Sequence, residues 1–172
     1  EFSGLHSDLS AGLIKNGHNV THVAYSDGYK KIPVQINIDS SKSGIIGKII
    51  RRFNAFKISF QFVDYDVVQV INPWVFGRFF PYKWFYSRLK SKNNKLFFLS
   101  AGNDAFFWKN HKKRLDYSPV DDMIQIDKGN NHSYMNTPKS YRFNKWCVDI
   151  SNGIIPVTYD YYISYLFHPK RT

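Results

Sequence analysis

Apolar residues recur most clearly in Gly44–Phe62, where Ile45, Ile46, Ile49, Ile50, Phe53, Phe56 and Phe60 keep a helical spacing. That spacing places them on one face of an amphipathic helix, with Lys48, Arg51, Arg52 and Lys57 largely elsewhere on the wheel. A second helical pattern opens the chain. Leu5, Leu9 and Leu13 repeat every four residues, and Asn16-Gly17 supplies the stop, because glycine adopts the left-handed conformation past a helix end without a Cβ clash. Elsewhere the apolar period shortens to two or disappears into continuous runs. Asn19–Ala24 and the alternating, β-branched Val34–Ile38 predict strands. Val67–Ile71 and Leu96–Ser100 are nearly unbroken apolar runs, the pattern of strands buried on both faces. Phe79–Leu89 predicts an aromatic-rich helix with Pro81 in its first turn. Lys139–Ile150 predicts a further helix, Gly153–Val157 a strand and Tyr159–Phe167 a last helix. Residues 109–137 are polar and irregular and read as an excursion.

Strands alternating with helices imply βαβ units: an α/β fold with a parallel sheet and helices on its faces. In such sheets ligands sit beyond the carboxyl ends of the strands. Ser26–Gly28, with Asp27 at its centre, Asn72–Gly77 and Ala101–Asp104 are the loops this reading puts there. The opening loop Glu1–His6 joins them if a strand precedes it, and the opening helix needs such a strand to feed it. Small residues Ser3-Gly4 lead into that helix, so its free backbone N–H groups are a candidate anion site. An ordinary loop without a ligand remains the plain alternative, since no full GxGxxG is present.

At 172 residues the chain suits one domain, residues 1–172, with a real core. An apolar share of 43% and an aromatic share of 18% argue against disorder. A net charge of +11 attracts nucleic acid, anionic lipid or phosphorylated substrates. A single cysteine, Cys147, excludes an internal disulfide and suits a reducing compartment; it reads as buried and inert. The histidines and the cysteine show no CxxC or HExxH spacing, so no metal is expected. The basic helix at 44–62 has two readings. Its apolar face packs on the sheet as core, or its cationic rim rests on anionic lipid.

The loops carry a family likeness. FSGLHSDLSAGLIKNGHNVTHVAYSDGYKKIP resembles the start of bacterial GT-B glycosyltransferases after their first strand. YDVVQVINP resembles their fourth strand and its exit loop, and KLFFLSAGNDAFFW their fifth. NGIIPVTYDYYISY resembles the strand and helix before the crossover to the second domain. The likeness covers most of the chain but only the N-terminal half of such an enzyme. It rests on the order and spacing of the motifs, none of which is diagnostic alone.

The resemblance implies a Rossmann-like acceptor domain that lacks its first strand and its donor-binding partner domain. It implies transfer of a sugar from a nucleoside diphosphate sugar to a hydroxyl acceptor, in bacterial surface polysaccharide or glycolipid synthesis, with no cofactor. Ser3, Gly4, Leu5 and His6 would face the cleft near the donor phosphates, with Asp27 and Asn72 on the same rim. Gly102, Asn103 and Asp104 would lie on the acceptor side. Many relatives place a His or an acidic residue there, so Asp104 is the candidate for catalysis, as the polar group nearest the acceptor hydroxyl. Its position after Gly-Asn also suits a turn or helix cap, and His6 reads equally as a partly exposed helix residue. A cytoplasmic location follows, peripheral on the inner face of the plasma membrane if the acceptor is lipid-linked. The alternative of a different class is a non-catalytic basic module for nucleic acid or an anionic membrane surface. Against nucleic acid, no RNP, KH or helix-turn-helix pattern appears.

Overall fold

The apolar run Leu96–Leu99 becomes the middle of a sheet. In the computed structural model, which describes residues 4–25, 32–76, 80–102, 104–110, 116, 119–127, 133–166 and 168–171, the chain is an α/β protein with two small parallel sheets. It divides into two compact units, Glu1–Gln61 and Phe62–Thr172.

In the second unit the strands are β3 (Val67–Val70), β4 (Lys95–Ser100) and β5 (Gly153–Pro156), in the order β3-β4-β5 and all parallel. Val67 stands opposite Lys95, and Phe97 opposite Gly153. β4 is central, and Leu96, Phe98, Leu99 and Ser100 are buried, as its apolar run requires. Beyond β5 the chain returns: the Ile154 amide donates to the Lys170 carbonyl at 2.8 Å, and Arg171 forms a parallel bridge with Ile154.

Helix α3 (Tyr82–Lys92) joins β3 to β4 and buries Tyr82, Phe85, Tyr86 and Leu89. Tyr86 meets Phe98 edge to face, with ring centroids 4.8 Å apart. The helix starts later than its apolar pattern suggests, because Pro81 stands at the N-cap with ψ 61°, outside the helical turn. Between β4 and β5 lie α4 (Ala105–Asn110), α5 (Pro119–Asp127), a 3₁₀ turn at Ser133–Asn136 and α6 (Pro138–Ile150). The segment that read as an irregular excursion therefore contains helix, and α4 is an addition to the expected elements. Thr137 caps α6 by accepting from the Ser140 amide at 3.2 Å, with Pro138 in the first turn. α7 (Tyr159–Ser164) follows β5.

The first unit is built differently. α1 (Leu5–Lys15) ends as expected, with Gly17 at φ 84° and the His18 amide reaching back to the Leu13 carbonyl at 3.0 Å. β1 (Val23–Ala24) and β2 (Ile36–Asn37) are parallel but only two residues each. Their ladder stops there: Ile36 donates to His22 and Ile38 to Ala24. The strands expected over 19–24 and 34–38 are shorter for want of further pairing.

α2 (Gly44–Ile58) runs into a 3₁₀ turn at Ser59–Gln61. Its orientation departs from the core-packing reading: of the expected apolar face only Ile50 and Phe56 are half-buried. Gly47, Ala55 and Ser59 are buried, whereas Ile45, Ile46, Ile49, Phe53 and Phe60 are 50–77% exposed. Polar bonds hold the inward side: Arg51 pairs with Asp39 at 3.1 Å, and the Asn54 amide donates to the Ile38 and Asp39 carbonyls at 3.4 Å.

Candidate functional site

Parallel strands release their exit loops along one edge, so Ile71–Phe76, then Ala101, Gly102 and Asp104, and Val157–Asp160 gather at the carboxyl end of the β3-β4-β5 sheet. The first loop is pinned from within. The Asn72 side-chain oxygen accepts from the Trp74 amide at 2.8 Å, closing an Asx turn. The Tyr86 hydroxyl donates to the Pro73 carbonyl at 3.0 Å, and the Tyr82 oxygen accepts from the Phe76 amide at 2.6 Å. Half of the Asn72 side chain is thus committed to its own turn.

In the second loop Gly102 adopts φ 60°, a left-handed conformation that glycine reaches without a Cβ clash. Asp104 follows, and it is 0% exposed. Its Oδ1 accepts from the Phe106 and Phe107 amides at 2.8 and 3.2 Å, which caps α4. Its Oδ2 accepts from the Ser100 hydroxyl at 2.5 Å and the Tyr165 hydroxyl at 2.7 Å. The Asn144 amide reaches Oδ1 at 3.4 Å and the Tyr165 oxygen at 2.9 Å. Burial pushes the Asp104 carboxyl above its usual range, opposed by the Ser100 and Tyr165 hydroxyls and the two amides. Burial, and then the Asp104 charge, raise the Tyr165 phenol well above normal.

Of the two readings of Asp104, this geometry is that of the cap. Asp104 exposes neither carboxylate oxygen, and both are taken up by this network. Its partners, Asn144 and Tyr165, lie far along the chain and gave no sequence signal.

Around Gly102 the outward groups come instead from β5's exit. The Tyr161 hydroxyl donates to the Gly102 carbonyl at 3.3 Å and is pushed up to about 12, by burial first and then by Asp104. The Thr158 hydroxyl donates to the Asp160 carboxylate. Thr158 and Gly102 are exposed, Asp160 is half-buried, and Tyr159 stands 73% exposed beside them. Thr158 and Asp160 were missed in sequence, although a Thr-x-Asp directly after a strand is a helix-start signal.

The other sequence candidates belong to the first unit or lie outside the described residues. Ser3, Asp27 and Asn103 are of the latter kind. Gly4 caps α1 at φ 82°, Leu5 is exposed, and the His6 ring stacks on His22 with centroids 6.3 Å apart. Asp8 occupies the first turn of α1, where its charge offsets the helix dipole and disfavours a second anion. The structure thus gathers Asn72, Gly102 and Asp104 at one sheet edge, and Gly4, Leu5 and His6 at one helix start.

At the opposite sheet edge, Asp64–Asp66 and Ser91–Asn94 line an open depression. There Asn93 accepts from the Tyr65 amide and donates to the Phe62 and Leu89 carbonyls, a structural set of bonds. Among the described residues no cluster of three His, Cys, Asp or Glu side chains could hold a metal ion, and no helix is long and apolar enough to cross a membrane. Cys147 is buried, and burial raises its thiol. Nothing matches the chain among family models, curated proteins or solved structures.

Proposed function

We propose that this chain is the Rossmann-like, acceptor-binding part of a GT-B glycosyltransferase, acting with a separate donor-binding domain. That domain would supply most contacts to the nucleoside diphosphate. The observation that supports this reading is the parallel order β3-β4-β5, which brings three exit loops to one edge, where α/β folds place ligands. The hydroxyl acceptor would meet the Gly102 turn and the Thr158–Asp160 pair. Asp160, a half-buried carboxylate at this edge, would then serve as the base beside the acceptor hydroxyl, with the enclosed Asp104 holding the loop.

Amide chemical-shift mapping of the whole chain tests it, with a panel of monosaccharides, oligosaccharides and lipid-linked saccharides as probes. Saturable shifts at Gly102, Thr158 and Asp160, lost in Asp160→Asn, are the expected result. Shifts confined elsewhere would overturn the acceptor assignment. Tight, steeply salt-dependent binding of oligonucleotides with no saccharide response would favour the basic nucleic-acid module instead.

A further inference from the structure

α2 faces the wrong way for a core helix. On its wheel the inward side carries Gly47, Ala55 and Ser59, and the outward side carries Ile45, Ile46, Ile49, Phe53 and Phe60. Gly47 fits closely on the inward side: a Cβ there would collide with the Lys42 carbonyl. The exposed apolar stripe is flanked by the half-buried Arg52 on one side and the exposed Lys57 on the other, with the exposed Lys48 further round beyond Arg52. Lys42, Lys48 and Lys57 are exposed. No acidic residue occurs anywhere from Ser40 to Gln61.

We propose that α2 lies in the headgroup layer of an anionic lipid bilayer, with its isoleucine and phenylalanine side chains dipping toward the acyl boundary. This inference does not depend on the glycosyltransferase reading. A cationic rim around an apolar stripe is the arrangement of an interfacial helix. Long lysine and arginine stems let the charges reach the headgroups while the stripe stays buried. The charge pattern selects this occupant over the others. Two copies joined face to face would bring like-charged rims together, in a protein of net charge +11. Nucleic acid would lay phosphates against isoleucine and phenylalanine.

The test is cosedimentation of the whole chain with phosphatidylcholine vesicles, with and without phosphatidylglycerol. Binding is expected only with the anionic lipid and weakens as salt rises. Lys48→Ala and Lys57→Ala each lower affinity about fivefold. Ile49→Gln with Phe53→Gln abolishes binding; both side chains are exposed, so the far-ultraviolet circular dichroism stays unchanged. A dye on Phe53→Cys reports insertion by a blue shift, and the buried Cys147 leaves the label selective. Absence of binding to anionic vesicles at low salt overturns the proposal. So does binding that the Ile49 and Phe53 substitutions leave intact, which would be charge attraction alone. A dimer in solution that those substitutions dissociate would assign the stripe to a second copy and overturn it too.

Discussion

Five donors converge on the Asp104 carboxylate, two of them backbone amides and three of them side chains from β4, α6 and the residue after α7. Removing the carboxyl leaves buried hydroxyls and amides without an acceptor. Asp104→Ala therefore costs about 3 kcal/mol in urea unfolding, and Asp104→Asn, which still caps, costs about 1 kcal/mol. A cost below that of an ordinary surface substitution for the alanine variant would refute the network's structural role. The pH dependence has a definite sign. The folded-state carboxyl is raised above 3.8, so between 3.8 and its folded value the native state binds more protons than the unfolded chain. Stability relative to Asp104→Asn is then fully present below 3.8 and declines as pH rises through the raised value. Denaturation of both proteins across that range checks it, and a difference that grows with pH would contradict it. A capping role was legible, because an Asp before a short apolar run is a cap signal. The burial was not, because Tyr165 is 61 positions away and Asn144 is 40.

Elements were legible through their period, and their facing was not. The amphipathic pattern of Gly44–Phe62 predicts a helix, and a helix forms; the same pattern says nothing about which side meets the protein. Ile49→Gln and Phe53→Gln are expected to change stability by no more than about 0.5 kcal/mol, as exposed substitutions do. Phe98→Ala, in the fully buried centre of β4, is expected to cost about 3–5 kcal/mol. Comparable losses at Phe53 and Phe98 in thermal unfolding would show that α2's stripe is core after all. Capping is a second element-scale determinant. Thr137→Ala removes the acceptor for the Ser140 amide and should cost about 1 kcal/mol without altering the other helices. α4 escaped the pattern because Ala105–Asn110 is too short and too uniformly apolar to show a period.

Across the whole molecule the core is unevenly shared. Among the described residues, the buried apolar side chains of the first unit are Ile38 and Ala55, while the second unit buries residues from β4, β5 and its longer helices, with β3 half-buried to exposed. Local stability should follow. Hydrogen exchange of the intact chain is expected to be slow at Phe97, Phe98 and Leu99, and fast at Ile36 and Ile38, whose ladder is two residues long. Equal protection in both sheets would count against two units of different stability.

By itself the sequence determined most of the helices and strands, though not α4 or α5, their order, and the parallel character that alternation imposes, because these follow from local period and chain connectivity. Only the tertiary structure decided that α2 turns Ile45, Ile46 and Ile49 outward, that Asp104 points inward, and that Thr158 and Asp160 share the Gly102 edge. Those outcomes depend on contacts between residues distant in the chain, and no local pattern records them.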